Sequence, residues 1–142
     1  MYTGTNSSVQ SGLLTGKAWD RACHWIEDYI TTINTKSTLT YCRYYGNYRN
    51  SESPANIGTY TSNQKQLSGA NENWKIKNIY DLAGNVWEWT YEVGASNHIF
   101  RGGSYVDSDN VYPVTYRSKY GNSSHSDRNI GFRIRLYIKT NW

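Results

Sequence analysis

Asp81 and Glu88 are the residues of this chain best suited to chemistry, and they flank a turn signal, Gly84-Asn85. Gly and Asn tolerate positive φ, so the backbone is predicted to reverse there and bring Asp81 back towards Glu88. Two carboxylates, with carbonyls freed by a tight loop, make a hard-oxygen site of the kind that takes calcium. The bland alternative is a structural pair that only caps backbone NH groups. Other reactive side chains carry weaker signals. His24, His98 and His125 lack the close spacing of metal ligands. Ser104 lies in Gly-Gly-Ser-Tyr without the strand–Ser–helix elbow of a hydrolase. Gly102-Gly103 is followed by neither a helix start nor a Lys, which argues against a phosphate cradle.

The elements that must position these residues can be read in part. Val86–Thr90 alternate in character as a half-buried strand should, with Trp87 and Trp89 on one face and Val86 and Glu88 on the other. Thr15 is an N-cap candidate for a helix over about 16–30. Ala18, Trp19, Ala22, Cys23, Ile26, Tyr29 and Ile30 form its apolar stripe. Residues 31–75 read as long loops with short strands around Leu39–Tyr44 and Ile57–Tyr60. Near the end, Phe132, Ile134, Leu136 and Ile138 alternate with Arg133, Arg135 and Tyr137, predicting a strand with apolar residues inward. Residues 1–12 read as a polar tail and 13–142 as one domain. Cys23 reads as a small buried residue; a Cys23–Cys42 bridge is left open by sequence.

Composition narrows the function classes. The chain has 142 residues, only 37% of them hydrophobic, but 14 Tyr and 6 Trp. Tyr-rich surfaces are typical of binding sites, because Tyr offers contact area at low entropic cost. The net charge of +4 is scattered, with no basic stripe, which argues against a nucleic-acid partner. No apolar run is long enough to insert into a membrane as a helix. The opening residues do not have the make-up of a signal peptide.

Four segments together resemble the formylglycine-generating enzyme family, a variant of the C-type lectin fold. They are Thr15, Trp19 and Ala22 on the helix; the run Ile76–Thr90; Arg101-Gly102-Gly103-Ser104-Tyr105; and Ile130-Gly131-Phe132-Arg133. The resemblance implies an α+β, loop-rich fold with small twisted antiparallel sheets and one main helix. It also implies that the N-terminal part of the family domain is missing, so that a partner strand or an oligomer could complete the sheet. It assigns a structural calcium to the carboxylates of Asp81 and Glu88 and the carbonyls of Gly84 and Val86. The enzymes of this family use two reactive cysteines that bind copper. The matching positions here are Asp107 and Tyr112, and copper(I) favours sulfur, so no copper and no catalytic residue are expected. An enzyme of the superfamily with altered chemistry is the alternative.

Two polar-aromatic runs occupy the place of that active site, one over 105–112 and one from Ser118 to Asp127. Framed by Arg-Gly-Gly-Ser and Ile-Gly-Phe-Arg, they resemble the variable region of proteins diversified by retroelements, a class that includes phage receptor-binding tips and bacterial surface proteins. On that resemblance Tyr105, Asp107, Ser108, Asp109, Asn110, Tyr112, Ser118, Tyr120 and Asn122 are expected to form one exposed binding patch. Its partner would be a protein or glycan receptor on a cell, and its place a phage virion or bacterial surface. Arg101, Gly102, Gly103, Phe132 and Arg133 are expected to be scaffold. The competing reading is a pair of solvated loops without a ligand.

Overall fold

A computed structural model describes residues 9–52, 63–94, 97–119 and 126–138. The elements run β1 (Val9–Leu13), α1 (Gly16–Ile33), a 3-10 turn (Glu72–Trp74), β2 (Lys75–Ile76), β3 (Ile79–Tyr80), β4 (Trp87–Val93), β5 (His98–Arg101), β6 (Arg117–Ser118), β7 (Ile130–Phe132) and β8 (Ile134–Ile138). One main helix thus packs with small sheets, as the α+β expectation requires. The order in the four-stranded sheet is β6-β5-β4-β7.

Thr15 caps α1: its backbone is extended and its hydroxyl accepts from the amide of Ala18 at 3.2 Å. Trp19, Cys23, Ile26 and Ile30 recur at helical spacing and are buried. They form the core with Cys42, Tyr45, Tyr48, Ile76, Leu82 and Val114. Trp19 keeps its polar handle satisfied, donating from Nε1 to the Val114 carbonyl at 2.9 Å. Tyr29, expected in the stripe, is exposed instead. Its ring, like that of Trp25, lies under the Lys77 ammonium. Lys77 and Asn78 form the two-residue turn of the β2–β3 hairpin, and both have the positive φ that a type I′ turn needs.

Several expectations are corrected. Residues 9–12, read as tail, belong to β1, which pairs antiparallel with β8 from Val9↔Ile138 to Leu13↔Ile134. No strand forms over 39–44, where only the Thr38↔Tyr41 bridge occurs; 57–60 lie outside the described residues. The four-stranded sheet is not purely antiparallel: β4 and β7 run parallel, with Trp87 facing Ile130 and Trp89 facing Phe132. Cys23 and Cys42 are both free and buried.

The largest correction concerns β8. Phe132, Ile134, Leu136 and Ile138 point outward, while Arg133 and Arg135 turn in. Arg133 reaches Glu88, and Arg135 Nη1 donates to the Thr15 hydroxyl at 3.2 Å. Side chains alternate strictly along a strand, so drawing the two arginines in turns the apolar set out.

Candidate ligand-binding site

The acidic loop folds as its turn residues predict. Asp81, Gly84 and Asn85 all have positive φ, at 52°, 72° and 62°. Gly84 is obligatory there, because a Cβ would sit 2.4 Å from the Asn47 carbonyl oxygen. The turn is locked from both sides: the Gly84 amide donates to the Gly102 carbonyl at 2.7 Å and the Asn85 amide to that of Asn47 at 2.8 Å. The Asn85 side chain holds the Gln66 backbone at both its NH and its carbonyl.

Part of the donor set expected for calcium is taken by the protein's own groups. Both oxygens of Glu88 are taken by Arg133, Oε2 from Nε at 2.8 Å and Oε1 from Nη2 at 2.7 Å. Asp81 Oδ2 accepts from the Ser68 hydroxyl at 2.9 Å and the Gly69 amide at 3.1 Å. Its Oδ1 is buried and has no hydrogen-bond partner among the described residues. Burial raises both carboxyl groups above their ordinary range, although Ser68 and Gly69 at Asp81, and Arg133 at Glu88, pull the other way.

The C-terminal loops leave β5 through Gly102 and Gly103, with φ of 96° and 75°. Gly103 has room for no side chain: a Cβ would lie 2.5 Å from the Tyr112 carbonyl oxygen and 2.7 Å from the Tyr48 ring. Buried Tyr48 pins the turn, its hydroxyl donating to the Gly102 carbonyl at 2.6 Å. Asp107 then closes a tight loop, Oδ2 accepting from the Ser104 amide at 3.0 Å and its hydroxyl at 2.6 Å.

Asp109 ties this run to the preceding loop. It is 0% exposed. Oδ2 accepts from the amides of Cys42 and Arg43 at 2.7 and 2.9 Å, and Oδ1 from Asn50 Nδ2 at 2.8 Å. Arg43 Nη2 stands 3.2 Å from Oδ1. An aspartate expected to meet a ligand is thus spent on the fold. Tyr105 and Ser118 are buried as well, at 7% and 6% exposure. Asn110 is exposed, and Ser108, half-buried, donates to Asn110 Oδ1 at 2.6 Å. Tyr120 and Asn122 lie outside the described residues.

What the loops do build is an open cavity of about 780 Å3. Of the nine expected binding residues, Asp107, Tyr112 and Ser118 line it. Lys119 and Asp127, which belong to the second polar-aromatic run, also line it, as do Trp87, Tyr116, Arg117 and Asn129, which lie outside both runs. Three rings form its wall edge to face: Trp87–Tyr112 at 5.6 Å, Trp87–Tyr116 at 6.1 Å and Tyr112–Tyr116 at 5.0 Å between centroids. Acidic and basic groups of both loops surround this wall. The signal that would have found Tyr116 is its spacing from Tyr112 across Pro113; Trp87 and Asn129 meet only through the parallel β4–β7 pairing, where Trp87 donates its amide to the Asn129 carbonyl at 2.8 Å.

Residues 9–137 match the family described as Sulfatase-modifying factor enzyme 1-like domain. Among solved structures the fold is similar to Treponema denticola variable protein 1, with a TM-score of 0.58 and 19% identity. That likeness covers 90% of this chain and 48% of the other, so the chain spans about half the length of that protein. No curated protein matches the chain. The architecture is therefore the C-type-lectin-like fold as that family builds it.

Proposed function

The chain belongs to the sulfatase-modifying factor enzyme 1-like domain family, and from that premise we propose that it is a non-catalytic ligand-binding module, a variable protein of the retroelement-diversified kind. The observation that carries this reading is the cavity walled by Trp87, Tyr112 and Tyr116. Asp107 and Tyr112 stand there at the positions where the family resemblance would put reactive cysteines. Asp107 is committed to Ser104 and Tyr112 to ring packing. The two thiols the chain does have are buried in the core, and burial pushes Cys23 up to about 11 and Cys42 up to about 12. Neither supplies a thiolate near neutral pH.

Aromatic faces beside charged and amide side chains suit a folded protein or a glycan on a cell surface, since rigid rings give area and the polar groups give register. The fold likeness to a variable protein supports the same reading. Display on a phage virion or bacterial surface follows from that class.

The test is binding of the labelled domain to arrayed glycans and to intact bacterial cells, wild type against Tyr116→Ala. Tyr116 is 39% exposed, so its truncation should leave the melting temperature within a few degrees while lowering retention at least tenfold. Equal retention by the variant would remove the cavity from the site. Copper(I) retention with oxygen consumption in the presence of a thiol peptide would favour the enzyme reading instead.

A further inference from the structure

We propose that Arg133 is the resident cation of the Asp81–Glu88 loop, so that this chain closes with a guanidinium the loop in which the family resemblance implies calcium. One side chain gathers a whole set of oxygens. Arg133 donates to both Glu88 carboxylate oxygens at 2.7 and 2.8 Å. Its Nη2 also lies 3.0 Å from the Tyr80 carbonyl and 3.3 Å from that of Asp81. One bidentate carboxylate and two backbone carbonyls are the donor types a calcium ion seeks. Here a planar fork with five NH groups meets them at hydrogen-bonding distance.

Two further observations point the same way. The Asp81 carboxylate is partly committed elsewhere: its Oδ2 is held by Ser68 and Gly69, while its buried Oδ1 has no hydrogen-bond partner among the described residues. A divalent ion bound to Glu88 would also lie within a few ångströms of the Arg133 charge, where like charges repel most strongly. The guanidinium joins the end of β3, the turn, β4 and the β7–β8 junction, four segments that a metal would otherwise have to connect. That role is also why Arg133 turns inward and β8 presents its apolar side to solvent.

The experiment compares thermal melts of the whole chain in excess EGTA, in millimolar calcium and in millimolar magnesium, with calorimetric titration of calcium alongside. The expected result is a melting temperature that moves by less than about 1 °C and no saturable heat, because an ion that does not bind the native state cannot shift it. A saturable calcium-dependent rise that Glu88→Gln abolishes would overturn the proposal. Arg133→Lys keeps the charge but not the fork, so it should melt about 5 °C or more below wild type, the range expected for loss of one or two hydrogen bonds. A lysine variant as stable as wild type would equally overturn it. The titration of the unmodified chain decides the matter even if the variant fails to fold.

Discussion

Replacing Asp109 with alanine separates scaffold from binding surface most sharply. Sequence placed Asp109 among exposed contact residues, but in the fold its carboxylate is fully buried and serves four donors. Truncation leaves the Cys42 and Arg43 amides and the Asn50 amide group without their acceptor. A buried donor left unmet costs about 1–3 kcal/mol, more when its partner was charged. Removing one member of a buried ion pair costs roughly 3–5 kcal/mol. The Arg43 side chain remains 20% exposed, so water can recover part of that loss. We therefore expect Asp109→Ala to destabilise by about 3–4 kcal/mol, a large share of the 5–15 kcal/mol typical of a domain. Asp109→Asn keeps the volume and one acceptor, and should cost about 1–2 kcal/mol. The neighbouring Asn110→Ala is exposed and should stay within about 0.5 kcal/mol. Urea unfolding followed by Trp fluorescence reads all three. If Asp109→Ala lies within about 1 kcal/mol of wild type at an unchanged m-value, the hub is not a hub and the reasoning fails.

Other consequences can be measured alongside. Gly103→Ala combines a φ of 75° with a Cβ 2.5 Å from a backbone oxygen, so it should cost roughly 2–4 kcal/mol and broaden the urea transition or abolish folding; a variant within 1 kcal/mol would show that the turn can yield. Cys23 has its thiol pKa raised from 9.0 to about 11 by burial, so its contribution to stability is complete below pH 9 and falls away as pH climbs through 11. At 1.36 kcal/mol per unit this is on the order of 2 kcal/mol lost by pH 11, and Cys23→Ala should flatten that part of the stability–pH curve. For the same reason both thiols should resist a disulfide reagent at pH 8 until urea is added, whereas rapid native labelling would mean they are not core residues.

How legible all this was in the sequence depends on the range of the interaction involved. Helix α1 was readable because its N-cap and its apolar stripe are local. The turn at Gly84-Asn85 was readable because positive φ selects residue types. The role of Asp109 was not, since a buried hub and an exposed contact have the same letter, and its partners lie at positions 42, 43 and 50. The facing of β8 is the reverse of what its hydropathy predicts. The alternation was correct, but hydropathy alone assigned the inner face, whereas the pull of Glu88 on Arg133 decides it. β1 was missed because Val-Gln-Ser-Gly-Leu is too polar to announce a strand, and only its partner at the far end of the chain makes it one. The place of Trp87 and Asn129 on the cavity wall is illegible for the same reason, because parallel pairing of β4 with β7 leaves no trace in either strand alone.

The pairing of β1 with β8 also sets the order of events during synthesis. Val9 is made long before Ile138, its partner across the β1–β8 pair. β4 likewise stays without its parallel neighbour until Ile130–Phe132 have been made. Helix α1 and the β4–β5 hairpin can form while translation continues, but Glu88 lacks its counter-charge until Arg133 is made. Closure across such sequence distances is slow and leaves strand edges open meanwhile. Until Arg133 and β8 are made the domain therefore carries an unpaired β1 and an uncompensated Glu88, features that invite chaperone binding, and stalling just short of Arg133 would leave the β1–β8 sheet unformed.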